Sequence, residues 1–73
     1  MQEFIDKYYK KFADNVKRLR QEQGLSQEEF AERIGCSREY ISRVENHREK
    51  IGLTKLLQIA YLFNTPPESL FFN

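Results

Sequence analysis

The sequence has little of several things that often reveal a function. It contains one cysteine (Cys36), one histidine (His47) and no tryptophan. A single cysteine cannot form a disulfide within the chain, and one cysteine with one histidine supplies too few ligands for a zinc site. No apolar run approaches the roughly 18 residues of a membrane helix, and the N-terminus lacks an apolar signal core. We therefore expect no bound metal, no membrane span and a cytoplasmic protein.

Charge of one sign is also scarce in the chain as a whole, because the formal net charge is only +1. The charges are unevenly distributed along the sequence. Six basic and three acidic residues lie from Arg33 to Lys55, and no basic residue follows Lys55. Charge distribution matters more than the sum for binding an anion. The middle of the chain therefore suits an anionic partner, whereas the apolar C-terminal third suits a protein surface.

The length of 73 residues allows one domain, 1–73, with a small core. Aromatic residues make up 14% of the chain, which argues against disorder. The glycines and the Pro66-Pro67 pair divide the chain into five segments, and each has a periodicity or an N-terminal cap typical of a helix. The predicted fold class is all-α, a compact bundle of five helices.

The fourth and fifth segments carry more apolar residues than one small core needs. We predict that the inward stripe of the fourth helix consists of Leu53, Leu56, Leu57, Ala60 and Phe63. A second apolar face on that helix contains Ile59 and Leu62. The fifth segment begins with Thr65-Pro66-Pro67-Glu68, which predicts a capping box at the start of a short helix.

The most informative stretch covers residues 25–46, where two short helices are joined by a tight turn. Ser26 and Glu29 have the spacing of a capping box at the start of the first helix. Ser37 is a favourable N-cap for the second helix. Gly35 lies in the turn, where glycine is required if the backbone adopts a positive φ. A turn of this length imposes a large angle on the two helices, which predicts a helix-turn-helix at about 26–46.

Together these features resemble the Cro and phage-repressor type of helix-turn-helix family, often called XRE. The matching elements span about residues 12–71 and are Val16-Lys17-Arg18-Leu19-Arg20, Gly24-Leu25-Ser26-Gln27, Ala31, Gly35, Ser37, Ile41-Ser42, Val44-Glu45, Ile59-Ala60 and Leu70-Phe71. Residues 38–45 are also similar to the recognition helix of restriction–modification controller proteins. Two features depart from the family pattern: His47 stands where glycine is usual, and the stretch before Phe12 is longer than usual. The resemblance implies a lambda-repressor-like fold and a sequence-specific DNA-binding transcription regulator.

The resemblance further implies that the helix at about 37–46 enters the major groove of DNA. Arg38 and Arg43 would then donate bidentate hydrogen bonds to guanine, and Glu39 would accept one from cytosine. Ser42 is a polar neighbour of the same bases. The alternative interpretation is an exposed helix face whose charges are simply solvated.

Contacts to the DNA backbone, which give affinity rather than sequence choice, are expected from residues around this helix. They are Gln27, Ser37, Tyr40, Asn46, His47, Arg48 and Lys50. Each has a simpler alternative: a solvent-facing glutamine, an N-cap, a half-buried tyrosine, and a flexible charged loop for the last four. Apart from this set, the resemblance implies a structural ion pair between Arg20 and Glu45, the alternative being two unrelated surface charges.

We expect a homodimer, because a single helix-turn-helix covers few base pairs and a two-fold axis doubles the site. The expected dimerisation region is about 59–73. Its predicted contacts are Ile59, Leu62, Pro66, Phe71 and Phe72. Phe63 and Leu70 are expected to complete the core instead, and the N-terminal stretch could join either the core or the interface.

The sequence predicts no enzyme, because it has no paired-carboxylate pocket, no supported Cys–His arrangement and no phosphate loop. No cofactor and no small-molecule ligand are expected, so the predicted partners are double-stranded DNA and a second copy of the chain. Two alternatives stay open at this point. One is a protein-interaction module that reuses the fold, although the basic face argues against it. The other is an antitoxin, although the chain has little room for a partner-binding segment.

Overall fold

A computed structural model describes residues 1–72 as four α-helices followed by a short 3₁₀ helix. The elements are α1 (Gln2–Glu22), α2 (Gln27–Ile34), α3 (Arg38–Glu45), α4 (Leu53–Leu62) and the 3₁₀ helix Pro67–Phe71. The all-α prediction is confirmed, with a 3₁₀ turn in place of a fifth α-helix. Within residues 1–72, none of the helices combines the length and apolar composition needed to cross a bilayer.

The start of the 3₁₀ helix differs from its predicted form. Pro66 occupies the N-cap position, and no side chain caps this helix. Thr65 Oγ1 lies 2.6 Å from Ser69 Oγ, and the Ser69 hydroxyl donates to the Pro66 carbonyl at 2.8 Å. The predicted capping box is therefore wrong, because the proline at the cap has no side-chain acceptor to offer.

All four α-helices end in the same backbone arrangement. A residue one or two positions beyond the end of each helix adopts a left-handed φ, and these residues are Gly24 (71°), Gly35 (71°), His47 (63°) and Asn64 (52°). The following N–H then bonds to a carbonyl five positions earlier, in the pairs Leu25 to Arg20 (3.1 Å), Cys36 to Ala31 (2.9 Å), Arg48 to Arg43 (2.8 Å) and Thr65 to Ala60 (3.0 Å). These bonds satisfy helix-end carbonyls that would otherwise lack partners.

The core forms where the inner faces of the helices meet. Its buried apolar residues are Phe12, Val16, Leu25, Phe30, Ala31, Ile34, Ile41, Val44, Ile51, Ile59, Ala60, Phe63 and Leu70. The rings of Phe30 and Phe63 stack with centroids 5.3 Å apart. Phe63 and Leu70 are thus core residues, as predicted. The amide of the buried Asn15 donates to the Leu70 carbonyl at 2.8 Å and also to that of Phe72, which fixes the C-terminal turn on α1.

The orientation of α4 differs from the predicted one. Ile59 is fully buried, whereas Leu53 and Leu57 are 71% and 47% exposed, so the prediction that these two leucines face inward is wrong. Tyr61 follows Leu57 by four residues and lies on the same outer side, 89% exposed. The predicted dimer contact at Ile59 is also wrong, because its side chain is sealed in the core and cannot reach a second chain.

Candidate DNA-binding surface

The turn between α2 and α3 is fixed by backbone geometry and by one lysine. Gly35 adopts a φ of 71°, a conformation in which any Cβ would be strained. The Ser37 hydroxyl caps α3 by accepting from the Tyr40 N–H at 3.0 Å. From α4, Lys55 Nζ donates to the Ile34 carbonyl at 2.7 Å, at the C-terminal end of α2. Sequence reasoning assigned Lys55 no role, because the lysine belongs to α4 and reaches the end of α2 only through the packing of the two helices.

The two sides of α3 differ sharply in character. On the inner side Ile41 and Val44 are 0% and 2% exposed and pack into the core. The outer side carries Arg38, Glu39 and Arg43, which are all exposed, and the half-buried Ser42. The structure therefore brings the four predicted base-contacting residues to one accessible face of one short helix.

Both arginines on this face make contacts within the chain. Arg38 Nη2 lies 3.3 Å from Glu39 Oε2, and Arg43 Nε donates to Glu49 Oε1 at 3.0 Å. The Arg43 guanidinium also lies 5.9 Å from the centroid of the Tyr40 ring. Burial is the main cause that raises the pKa of the half-buried Tyr40 hydroxyl, so this group is protonated at neutral pH and can donate a hydrogen bond.

Behind α3, Arg20 and Glu45 form a buried bidentate ion pair. Arg20 Nε and Nη2 donate to the two carboxylate oxygens of Glu45 at 2.7 and 3.0 Å, and Arg20 Nη1 donates to the Leu25 carbonyl at 2.7 Å. Gln27 Nε2 adds a further bond of 3.0 Å to Glu45 Oε1. Gln27 thus has a structural contact that sequence reasoning missed, and its second amide hydrogen remains for another acceptor.

The segment after α3 holds the other predicted backbone contacts. Asn46 Nδ2 donates to the Ser42 carbonyl at 2.8 Å, so this side chain helps to close the helix. His47 Nε2 lies 3.0 Å from Asp14 Oδ1, and Lys50 Nζ lies 5.5 Å from the centre of the Tyr9 ring. Arg48 is exposed. The loop is thus held against α1 at two points. The alternative interpretation, a flexible charged loop, does not describe these contacts.

The predicted dimer contacts separate onto two faces. Leu62 and Pro66 adjoin the outer face of α4, next to Leu57 and Tyr61. Phe71 and Phe72 line a different apolar groove with Phe4, and Phe71 stacks on the buried Phe12. The outer face of α4 was missed because its leucines were assigned to the core.

Residues 1–72 were also compared with the requirements of a metal site and of a reactive thiol. These residues contain no cluster of three or more histidine, cysteine, aspartate or glutamate side chains placed to hold a metal. Burial is the main cause that raises the pKa of the Cys36 thiol, so it is protonated at neutral pH and a poor nucleophile.

Comparison with known proteins identifies the family. A family model described as helix-turn-helix matches residues 16–70. The chain belongs to this helix-turn-helix family of DNA-binding transcription regulators. The match confirms the XRE-type resemblance and the assignment to regulators rather than enzymes.

Individual proteins similar to this chain include two controller proteins and one hypothetical transcription factor. Control protein C.SmaI of Serratia marcescens is 40% identical over 53 residues, which are 73% of this chain and 63% of that protein. The crystal structure of restriction-modification controller protein C.AhdI from Aeromonas hydrophila has a TM-score of 0.78 and 33% identity, covering 86% of this chain and 91% of that one. The hypothetical transcription factor NHTF from Neisseria has a TM-score of 0.82 and 31% identity, covering 89% and 75%.

Proposed function

We propose that this helix-turn-helix protein binds a two-fold symmetric DNA operator as a homodimer and regulates transcription from it. The observation that carries the proposal is the outer face of α3, where exposed arginines stand on a helix whose inner face is fixed by the core and by a buried ion pair. A rigid helix that presents arginines suits the major groove, where guanine offers two adjacent acceptors. Such a regulator would act in the compartment that holds the DNA, so the cytoplasm stays the expected location.

On this proposal the residues of the α3 surface divide into two groups by what they contact. Arg38 and Arg43 donate to guanine, Glu39 accepts from cytosine, and Ser42 lies beside them. Contacts to the phosphates come from the N-terminal end of α2 and from the loop after α3, where amide and basic groups can meet an anion. The residues of this second group are Gln27, Ser37, Tyr40, Asn46, His47, Arg48 and Lys50.

For the dimer contact we favour the outer face of α4, with Leu57, Tyr61, Leu62 and Pro66. Two recognition helices on one face of DNA stand about 34 Å apart, so each α3 lies about 17 Å from the two-fold axis, and the dimer contact lies on the side of the chain that faces this axis. The α4 groove also contains Ile34, the last residue of α2, and Gly35, which lies in the turn that leads into α3. The groove with Phe4 and Phe72 instead involves the N-terminal half of α1 and the C-terminal turn.

The direct test of the DNA-binding proposal is selection of bound sequences from a random pool of duplex DNA. We expect an enriched motif with two inverted half-sites one helical turn apart, and affinity that falls steeply with salt as counterions are released. Recovery of no enriched sequence would contradict the proposal and favour a protein-interaction role for the same fold.

The dimer contact can be tested with two matched substitutions of exposed aromatic residues. Tyr61→Glu places a charge on the outer face of α4, and Phe4→Glu places the same charge on the other groove. These residues are 89% and 65% exposed, so neither change should disturb the core. We expect sedimentation equilibrium to show a weakened dimer only for Tyr61→Glu. The reverse pattern would move the interface to the groove lined by Phe4 and Phe72.

A further inference from the structure

We propose that Glu49, from the loop after α3, is a positioning residue for base recognition by Arg43. Its carboxylate holds the Arg43 guanidinium so that only the two terminal nitrogens, Nη1 and Nη2, meet a base edge. The inference rests on the DNA-binding function proposed above. It adds a specificity-determining residue that itself lies outside α3 and contacts no base.

The geometry around Arg43 carries the first step. Glu49 Oε1 accepts from Arg43 Nε at 3.0 Å, and the Tyr40 ring lies beside the guanidinium, 5.9 Å from its carbon. An arginine can bond guanine either through Nη1 and Nη2 or through Nε with one Nη, because its donors form a planar fork. Because Nε is engaged by Glu49, the second arrangement requires this hydrogen bond to break first. The contact therefore favours end-on recognition by Arg43.

The loop that carries Glu49 is itself held in place. The Arg48 N–H bonds to the Arg43 carbonyl at 2.8 Å, which fixes the chain just before Glu49. On either side of Glu49, His47 contacts Asp14 and Lys50 lies over the Tyr9 ring, so the loop is attached to α1 both before and after Glu49. Tyr9 and Asp14 both precede residue 16, where the family match begins. The N-terminal part of α1 thus holds in place the loop whose Glu49 orients Arg43.

The charge of Glu49 argues that its role is selectivity rather than affinity. A carboxylate next to the DNA-binding face repels phosphates and lowers binding to every sequence. The pair it forms is exposed, with side-chain exposures of 49% for Arg43 and 33% for Glu49, so it adds little to folding. The order that Glu49 gives to Arg43 explains an acidic residue at such a place.

The test compares Glu49→Ala and Glu49→Gln with Glu22→Ala, a control that removes the same charge from an exposed ion pair on α1. Binding is measured on the selected operator and on its single-base variants. The informative base pair is the one whose preference Arg43→Ala abolishes. We expect Glu49→Ala to bind all DNA more tightly but to lose roughly 3- to 10-fold of the discrimination at that pair alone. Glu49→Gln should lose less, since its amide oxygen still accepts, and Glu22→Ala should lose none.

Two outcomes would overturn the proposal. In one, Glu49→Ala raises affinity equally for every sequence with discrimination unchanged, so that Glu49 acts only as a charge. In the other, Glu49→Ala changes discrimination equally in the presence and absence of the Arg43 side chain, so that the two residues are uncoupled. If instead Arg43→Ala alters no base preference, the proposed role of Arg43 itself fails together with this inference. Thermal unfolding of each variant confirms that the fold is intact.

Discussion

Two arginine–glutamate pairs lie on opposite sides of the recognition helix α3, and they differ in almost every physical respect. Arg20 and Glu45, behind the helix, are joined by two hydrogen bonds of 2.7 and 3.0 Å and are 8% and 6% exposed. Arg43 and Glu49, in front of it, share one bond of 3.0 Å, and their side chains are 49% and 33% exposed. The same two residue types therefore serve two purposes, and burial decides which.

The energies differ accordingly. Breaking a buried pair leaves a charge without water or partner and costs about 3–5 kcal/mol. An exposed pair contributes only about 0–1 kcal/mol, since water screens it. We therefore expect changes behind α3 to appear in the free energy of unfolding, and changes in front of it to appear in the choice of DNA sequence.

The largest expected effect is that of Glu45→Ala. This change leaves the buried Arg20 guanidinium without its carboxylate and also frees Gln27 Nε2. The free energy of unfolding should fall by about 3–5 kcal/mol, measured by urea denaturation. The matched change Glu49→Ala should lower it by about 1 kcal/mol at most. Equal losses for the two variants would remove the distinction between the pairs.

A sharper version of this experiment replaces both charges. In the double variant Arg20→Met with Glu45→Leu, no unpaired charge remains, so most of the lost stability should return. DNA affinity should stay reduced if the pair orients α3. Full recovery of both stability and DNA binding would instead mean that the pair has no orienting role.

In front of α3, Arg38→Ala should cost about 1–3 kcal/mol of discrimination at one base pair, with little change in unfolding free energy. The comparison variant is Lys50→Ala. It should weaken binding to all sequences alike and reduce the slope of affinity against salt by about one charge. Competition binding across a set of operator variants separates the two. A uniform loss for Arg38→Ala would contradict its contact with a base.

A smaller effect is expected at the end of α3, where His47 has a φ of 63°. A left-handed conformation at a non-glycine residue costs on the order of 1–3 kcal/mol. His47→Gly removes this cost but also the exposed contact with Asp14. We expect a net gain of about 1 kcal/mol in thermal unfolding experiments, whereas Asp14→Ala, which keeps the strain, should show a slight loss. A less stable His47→Gly would mean that the Asp14 contact outweighs the backbone strain.

The smallest effect concerns the capping box at the start of α2. Glu29 accepts from the Ser26 backbone N–H at 2.9 Å, and this bond, followed by that with the Ser26 side chain, holds the pKa of Glu29 below its ordinary value. A lowered folded-state pKa stabilises the protein above the unfolded-state pKa, and the gain disappears as the pH falls through the folded-state pKa. Unfolding of the wild type and of Glu29→Gln should therefore converge in acid and differ slightly at neutral pH. If the two proteins differ in unfolding free energy by the same amount at every pH, the charge of Glu29 contributes nothing and only the size and hydrogen bonding of its side chain matter.

Much of the fold was predictable because its signals are local. The capping box of Ser26 with Glu29, the cap at Ser37 and the glycine at position 35 are each defined within four residues. The inner faces of α2 and α3 also followed from spacing, since each helix has one apolar side. The outer face of α3 was predictable for the same reason.

Two kinds of feature were not predictable. Some depend on contacts between segments that are distant in sequence, and others on an apolar pattern that is compatible with two orientations of the same helix. In α4, leucines occupy both sides, so the sequence pattern favoured Leu53 and Leu57 over Ile59 for the core. The contacts of Lys55 with the end of α2 and of Glu49 with Arg43 join residues whose proximity appears only when the helices pack. Local patterns thus define the helices, and packing defines their neighbours.

The shared ending of the four helices has a consequence for the rate of folding. Each stop uses hydrogen bonds that reach back only five residues, so a helix end forms without waiting for a distant part of the chain. Small helical domains whose contacts are mostly close in sequence fold in microseconds to milliseconds. That is far shorter than the seconds needed to synthesise a chain of 73 residues at 5–20 residues per second. Folding of the single chain should therefore add no delay after synthesis, so any lag before operator binding would come from the pairing of two chains.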